Sequence, residues 1–436
     1  MTTPSTSCCC CHIVPPHLLR AIANSEEVSE TTRQAAKASL ESRDKYSSKR
    51  KELFDRLTRP RGYRTPQGSP SASRRRSIIP DTLLRHLAHS SHLDDEGRAR
   101  AKRDLDHLTQ VLQGVGTAHT SEQVPLADGQ KNEVKDRASR AVYDAENNFD
   151  EYELPGKLVR SEGEPNTGDE AVDEAYKNIG TVLDLYKEHF NWMSIDNESA
   201  DVISTVHFGE NYENAFWDPE RRQMVFGDGD EFLNNFTGCI DVIGHELTHA
   251  VTEHTAPLNY WGMSGALNEH ISDVFGIMVK QKVQNETAAD ADWLIGEDCI
   301  MPGAKGTALR SMKAPGTAYN DARFGKDPQV GHMKSWYIMA DDNGGVHIFS
   351  GIPNKAFQLA AVSLGGYSWE KAGQIWWKTM NSGRIPPNCT FRQFADVTIE
   401  VAEDFGRDAP AKVKKAWAAV GVMDKVRRAP GRCTGL

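Results

Sequence analysis

Two histidines four residues apart, with a glutamate after the first, are the residues of this sequence with the clearest chemical potential. They are His245 and His249, in the run H-E-L-T-H that also contains Glu246. Positions four apart in an α-helix point roughly the same way, so both imidazoles can bind one metal ion. Glu246 projects from the same turn and can take a proton from a water at that metal.

A catalytic zinc ion needs three protein ligands and one open position. A second motif suggests the third ligand, because Glu269 and Asp273 are again four residues apart. We assign Glu269 to the metal. We place Asp273 behind the ligands together with Asn268, where Asp273 would orient a ligand histidine.

The residues around the first motif decide between a metal site and a solvated helix face with charge pairs four residues apart. The flanking runs 241–244 and 250–252 make this helix largely apolar. Its histidines and glutamate would then be buried polar groups, which are costly without a partner. The flanks and the second motif together favour the metal site.

Several further blocks make the chain resemble the thermolysin-like family of zinc metallopeptidases over roughly residues 141–425. These blocks are N-A-F-W at 214–217, V-F-G-D-G-D at 225–230, L-R-S-M at 309–312, D-N-G-G-V-H at 342–347, and residues 350–356. More narrowly, the chain is similar to the protealysin branch in its segment 13–20 and in the catalytic start at 141–144.

The resemblance implies an α+β fold, a two-lobed zincin with the zinc cleft between its lobes. Strand patterns at 158–160 and 202–207 and a helical pattern at 171–190 predict a sheet-rich lobe over 141–238. A helical lobe that carries the zinc ligands is expected over 239–425, and a tail over 426–436. A helical, partly disordered precursor region over 1–140 precedes them.

The resemblance also implies roles for residues outside the two motifs. His347, with Tyr260 beside it, would stabilise the oxyanion that forms during hydrolysis, and Asp342 would hold the imidazole of His347. Arg310 would grip the peptide backbone near the scissile bond. The remaining substrate-binding positions are an edge strand at Asn214 and Ala215, which would pair with the substrate, and the apolar pocket walls Val242, Ile295 and Leu309. We therefore expect cleavage before bulky apolar residues.

The sequence departs from the thermolysin pattern where that family binds two calcium ions. Acidic residues are present at the matching positions Asp241, Asp292 and Glu297, but Lys280 and Leu294 stand where the family has acids. An ammonium group would then stand in place of a cation. We expect the double calcium site to be lost, and the sequence leaves open whether any calcium binds.

The N-terminal region contains an internal repeat at an offset of 65 residues. The run I-V-P-P-H-L-L-R at 13–20 matches I-I-P-D-T-L-L-R at 78–85, within copies near 12–45 and 77–110. Each copy predicts a short extended segment followed by helices. The linker 59–77 is predicted to be disordered and 114–139 to contain the maturation cut. The sequence leaves open which copy docks on the catalytic part.

Charge divides unevenly between the two regions. Residues 1–140 contain 24 Lys and Arg against 17 Asp and Glu, and the remainder contains 27 against 44. A basic arm of this kind could bind nucleic acid, but we favour binding to its own acidic body, which makes the precursor an intramolecular inhibitor of a monomeric zymogen. No nucleic-acid partner is expected.

Compartment is less well defined by the sequence. No run of 18 apolar residues is present, so no membrane span is expected, and the first residues lack the pattern of a secretory signal. We expect secretion because members of the resembled family are generally secreted, and a cytoplasmic location is the alternative. The eight cysteines, four of them consecutive at Cys8–Cys11, do not form a disulfide framework. We favour free or lipidated cysteines at Cys8–Cys11, and a thiolate that reaches the zinc is the alternative.

Two other functions compete with a neutral zinc endopeptidase. A catalytically silent protein could use the cleft to hold peptides, but Glu246, His347 and Arg310 are all intact. An aminopeptidase on a related scaffold would need an acidic pocket for the free amine, and the sequence contains no such motif.

Overall fold

A six-stranded sheet forms the first part of the fold. Its strands are β1 (Cys11–His12), β2 (Arg140–Asp144), β3 (Lys157–Ser161), β4 (Val202–Val206), β5 (Ala215–Asp218) and β6 (Gln223–Phe226). They lie in the order β1-β5-β6-β4-β2-β3. β4 pairs in parallel with β2 and with β6, and the other pairs are antiparallel. The strand pattern at 158–160 lies in β3, and the pattern at 202–207 covers β4 and extends one residue beyond it.

The structure is a computed structural model that describes residues 11–12, 14–40, 138–150, 153–219, 221–229, 233–321, 325–339 and 341–424. All of these belong to one compact unit, which comprises residues 1–58 and 135–436. The second copy of the repeat, the linker 59–77, most of the expected maturation segment, Cys8–Cys10 and the tail lie outside the described residues.

Three helices accompany the sheet. In the first copy of the repeat, α1 spans Pro16–Asn24, with Pro16 at its first position, and α2 covers residues 30–40. α3 (Glu170–Phe190) begins where the Asp169 side chain accepts a hydrogen bond from the Val172 N–H, and it ends at Asn191 in the left-handed conformation. The helical pattern at 171–190 lies within α3.

The second part of the fold is mainly helical. Its helices are α4 (Ile240–Thr255), α5 (Gly262–Gln284), α6 (Asp341–Phe349), α7 (Gly351–Leu364), α8 (Lys371–Met380), α9 (Phe391–Val401) and α10 (Ala409–Ala419). Two small sheets, β7 (Leu294–Ile295) with β8 (Arg310–Ser311) and β9 (Asn320–Asp321) with β10 (Gly325–Lys326), lie between α5 and α6. This confirms the predicted α+β fold class.

Two glycines allow α4 and α5 to cross in close contact. A methyl group added to Gly276 would lie 2.5 Å from the carbonyl oxygen of Asp241, and one added to Gly244 would lie 3.0 Å from the Gly276 Cα. No side chain fits at this crossing, so the two backbones touch. The close contact lets His245 and His249, which follow Gly244 on α4, meet Glu269, which precedes Gly276 on α5.

Buried cysteines and apolar side chains complete the packing around α4. Cys239, which precedes α4, and Cys299 lie far apart in the sequence, yet their sulfur atoms are 2.7 Å apart. The cysteine pattern did not predict this contact.

Among the described residues, no helix is both long enough and apolar enough to cross a membrane.

Candidate metal and catalytic site

α4 and α5 bring His245, His249 and Glu269 together. All three side chains are buried, and their potential ligand atoms lie within 4.8 Å of one another. The two Nε2 atoms are 3.1 Å apart, and the Glu269 carboxylate lies 3.4 Å from His245 and 3.8 Å from His249. The three predicted ligands therefore converge on one point.

Hydrogen bonds on the far side of each ring fix which nitrogen faces that point. His245 donates from Nδ1 to Asp273 at 2.9 Å, and His249 donates from Nδ1 to the Asn268 side chain at 2.8 Å. Each ring then directs its Nε2 towards the other ring. Asp273 and Asn268 thus occupy the positions behind the ligands that the sequence predicted for them.

This arrangement fits a zinc ion. In their neutral forms, both rings would offer an Nε2 lone pair to a cation bound between them. Tetrahedral zinc with Zn–N distances of about 2.0–2.1 Å sets its ligands roughly 3.3 Å apart, close to the 3.1 Å between the two rings. The buried Glu269 Oε2 has no hydrogen-bond partner among the described residues, so it too is available to a cation.

Glu246 lies in the same buried site without a fixed partner. Neither of its carboxylate oxygens has a hydrogen-bond partner among the described residues. Burial raises the pKa of Glu246 to about 8, and the nearby Glu269 carboxylate acts in the same direction. A carboxylate held in this way can accept a proton and release it again.

A left-handed turn positions His347. Residues 342–345 all have positive φ angles, between 51° and 83°, a conformation that asparagine and glycine tolerate best. The turn folds the Asp342 carboxylate back onto His347, where it accepts hydrogen bonds from the backbone N–H at 2.9 Å and from Nδ1 at 2.7 Å. Burial lowers the pKa of His347, but Glu269 and Asp342 outweigh it, and the net change is upward.

His347 and Tyr260 both reach the ligand cluster. The Nε2 of His347 lies 3.3 Å from the Glu269 carboxylate and 3.5 Å from the Tyr260 hydroxyl, and that hydroxyl donates a hydrogen bond to Glu269. Two donors therefore stand beside Glu269, one of the three residues that could bind the metal. This geometry suits stabilisation of negative charge on a reacting oxygen.

Arg310 is placed by Asp273. Its Nε and Nη2 donate to the two carboxylate oxygens of Asp273 at 3.0 and 2.7 Å, and both side chains are buried. Burial would raise the pKa of Asp273, but the Arg310 guanidinium and the His245 hydrogen bond outweigh it and hold that pKa far below its usual range. Asp273 therefore stays ionised and connects a metal ligand to the arginine.

The other predicted substrate-binding residues border the same region. Ala215 begins β5, and Asn214 directly precedes it. The Trp217 backbone, later in the same strand, lies next to Glu246. Val242, Ile295 and Leu309 are buried members of one continuous apolar cluster, and their role as pocket walls stays a prediction.

Sequence reasoning missed two buried amides. Asn354 donates from Nδ2 to Asp273 at 2.8 Å, and Gln329 donates to the His347 carbonyl oxygen at 2.8 Å. Asn354 stands among apolar residues on α7, and a lone amide on such a face is a signal that could have found it. No comparable signal marks Gln329, because it lies in an irregular segment.

Lys280 lies among the acidic residues that the sequence connected with calcium. Its ammonium group is 2.9 Å from Glu297, 3.1 Å from the Leu294 carbonyl oxygen and 3.5 Å from Asp292. Burial lowers the pKa of Lys280, but Asp241, Glu297 and Asp292 outweigh it, and the net change is upward. A positive charge is therefore stable at this position.

Comparison with known proteins agrees with the geometry. Residues 113–253 match the thermolysin metallopeptidase catalytic domain, and residues 256–422 match its alpha-helical domain. Residues 76–119 match the protealysin propeptide.

Relatives that match over nearly their full length belong to the same kind of protein. Protease PrtS of Photorhabdus sp. (strain Az29) is 45% identical to this chain, and the alignment covers 80% of this chain and 93% of PrtS. The extracellular metalloprotease of Pectobacterium carotovorum is also 45% identical, and that alignment covers 79% of this chain and 96% of the relative. The solved precursor of protealysin from Serratia proteamaculans is 44% identical, with a TM-score of 0.63 over 80% of this chain and 99% of that one. The chain therefore belongs to the thermolysin family of metallopeptidases, with a propeptide of the protealysin type.

Proposed function

We propose that this protein hydrolyses internal peptide bonds on the amino side of bulky apolar residues, with zinc bound by His245, His249 and Glu269. The observation that carries the proposal is the convergence of these ligand atoms within 4.8 Å, next to an unpartnered buried glutamate, Glu246. When bound, zinc would activate a water and polarise the carbonyl of the scissile bond.

Glu246 is the general base in this proposal. It takes a proton from the attacking water and passes it to the leaving nitrogen, a role supported by the rise in its pKa towards neutral pH. His347 and Tyr260 donate hydrogen bonds to the oxyanion, and Asp342 keeps the His347 ring oriented and favours its charged form. These donors act where negative charge develops, so they stabilise the transition state more than the substrate.

β5 and Arg310 bind the substrate backbone. An extended peptide would add a strand beside Ala215, and the Asn214 side chain would bond to its main chain. Arg310, held by Asp273, would donate to a peptide carbonyl near the scissile bond. Val242, Ile295 and Leu309 form the apolar wall against which the side chain after the scissile bond packs.

Internally quenched peptides that differ only in the residue after the scissile bond test this function. Leucine or phenylalanine at that position should be cut at least tenfold faster than aspartate, since a buried charge has no partner in an apolar pocket. Peptides with a blocked N-terminus should be cut equally well, because an endopeptidase does not read the free amine. Loss of cleavage on blocking would indicate an aminopeptidase, and binding without cleavage a silent receptor.

Lys280 replaces the calcium ions of the family in this proposal. Its ammonium group contacts two carboxylates and a carbonyl oxygen, which are the groups that a calcium ion would otherwise bind. One buried positive charge at this position disfavours a second cation beside it. The protein should therefore need no double calcium site for stability.

We place the working enzyme outside the cell, as a monomer that its own precursor region keeps inactive before maturation. The extracellular metalloprotease of Pectobacterium carotovorum supports the location. Activity in the medium of a growing culture, compared with a cytoplasmic marker enzyme, tests it. Light scattering of the purified chain tests the monomer.

A further inference from the structure

Residues of the first repeat copy lie where a substrate would bind. β1 pairs antiparallel with β5, with Cys11 opposite Trp217 and His12 opposite Phe216. The Val14 N–H donates to the Asn214 side chain at 2.9 Å. This segment therefore uses the strand pairing and the asparagine that are proposed above for substrate.

The contact reaches the edge of the catalytic site. Cys11 pairs with Trp217 on β5, and β5 packs against α4, the helix that carries Glu246. A peptide bound as a strand at this position leaves no place for a second strand on the same edge of β5. Occupation of the edge thus excludes an extended substrate.

α1 anchors the strand on the catalytic part. Its apolar face is fully buried and joins the same apolar cluster as Val242, Ile295 and Leu309, through Leu18, Leu19 and Ile22. The His17 ring bonds to the Tyr319 hydroxyl at 2.5 Å. An isolated helix of nine residues is marginal in water, so this burial is what stabilises α1.

The match to the protealysin propeptide covers residues 76–119, which is the second copy, whereas the copy seen paired with β5 is the first. At the offset of 65 residues, the apolar positions of the docked copy are apolar in the second copy too. Val14, Leu18, Leu19, Ile22, Ala23, Val28 and Ala36 correspond to Ile79, Leu83, Leu84, Leu87, Ala88, Leu93 and Ala101. Both copies therefore have the same pattern of apolar residues in the sequence.

Three other positions favour the first copy. His17 corresponds to Thr82, which is too short to replace the imidazole bonded to Tyr319. Ala35 and Ser39 are buried in the docked copy, at 6% and 0% exposure, and correspond to Arg100 and Asp104. Burying these two charges at the same positions would cost free energy unless partners were supplied.

We infer that residues 11–40, rather than the copy that matches the protealysin propeptide, close the substrate cleft of the uncut chain. The first copy binds as a substrate-like strand on β5, with α1 as its anchor. The inference rests on the proposed function only in that the cleft binds extended peptides.

Matched substitutions in the two copies test the inference in the full-length chain. All forms carry Glu246→Gln, so that they bind peptide without cutting it or themselves. A fluorescent peptide with a central leucine is titrated into three zinc-loaded proteins. The first carries Glu246→Gln alone and is the parent, the second also carries Leu19→Asp, and the third also carries the corresponding Leu84→Asp. We expect Leu19→Asp to bind at least tenfold more tightly than the parent, and Leu84→Asp to bind like the parent. Opening by Leu84→Asp, or by neither substitution, would overturn the inference.

A milder pair keeps the test valid if Leu19→Asp fails to fold. His17→Ala removes the bond to Tyr319, and Thr82→Ala is its counterpart. Hydrogen exchange should show a faster Val14 amide in His17→Ala only, and unchanged exchange at that amide would contradict the docking. Peptide cleavage by the matured enzyme tests the proposed function separately. The docking of residues 11–40 and the peptidase function can therefore be refuted independently.

Discussion

Asp273 organises the site more than any metal ligand does. One carboxylate accepts hydrogen bonds from His245, from Arg310 and from Asn354, and it is completely buried. A buried charge is tolerated only when such partners surround it. The side chain thereby couples the orientation of a metal ligand to that of the arginine proposed to bind substrate.

At the same scale, Glu246→Gln separates metal binding from catalysis. In a form that begins near Ala141, zinc content should stay at about one per chain, and kcat should fall by about 10²–10⁴-fold because only the base is lost. Elemental analysis and a peptide cleavage assay measure the two quantities. His249→Ala is the matched control, which should lose the metal as well. Undiminished activity of Glu246→Gln would refute the assignment of the base.

The sequence predicted the residues that face the metal site better than the residues that hold them in position. His245, His249 and Glu269 could be found because the helix period fixes their mutual direction, and Asp273 follows from the same period. Asn354, Gln329 and the left-handed turn before His347 were not predicted, because they depend on how distant segments pack. The roles of Tyr260, His347 and Arg310 came from the family resemblance and not from spacing.

Among the elements, the crossing of α4 and α5 decides whether the ligands meet. Gly276 lies one turn beyond Asp273, and any Cβ there would press on the α4 backbone at Asp241. Neither helix can move away without shifting its own metal ligands. The pattern of glycines gave no sign of this contact, because each glycine alone is compatible with an ordinary helix.

Gly276→Ala should therefore destabilise the fold by about 1–3 kcal/mol and weaken zinc binding by about tenfold or more. Urea unfolding and a competitive zinc titration measure the two effects. Gly180→Ala is the matched control, because its Cβ would meet the end of the Arg140 side chain and not the backbone of another helix. Equal behaviour of the two variants would show that the crossing tolerates a methyl group.

The contacts of Lys280 join α5 to the loop that carries β7. We therefore expect them to contribute to stability without calcium. A calcium-selective chelator should leave the rate of thermal inactivation unchanged. Lys280→Ala should lower stability by about 1–3 kcal/mol, since it leaves Asp292 and Glu297 without their cation. Lys282→Ala, which removes an exposed pair with Glu188, is the control. Rapid inactivation by the chelator would show that other ligands hold calcium.

For the whole molecule, the precursor region and the catalytic part carry opposite charges. Residues 1–140 have a net charge of +7 and the rest of the chain −17. This attraction acts over longer distances than the strand and helix contacts of 11–40, and it raises the chance that the two parts meet. The sequence predicted the docking in general, but the pairing of β1 with β5 required the structure.

A form beginning near Ala141 should be active, and separately added residues 1–140 should inhibit it. The inhibition should weaken as salt is raised, because the charges are then screened. Initial rates on a quenched peptide, at several concentrations of added precursor, measure this. Full activity of an uncleavable complete chain would contradict a latent precursor.

The most direct test of the central claim is metal removal and replacement in the matured enzyme. A zinc chelator should abolish cleavage of an internally quenched peptide with a blocked N-terminus, and about one equivalent of zinc per chain should restore it. His249→Ala and Glu269→Ala should fail to regain activity under the same conditions. Cleavage that survives complete removal of zinc, or that returns in these variants, would contradict a zinc peptidase with these ligands.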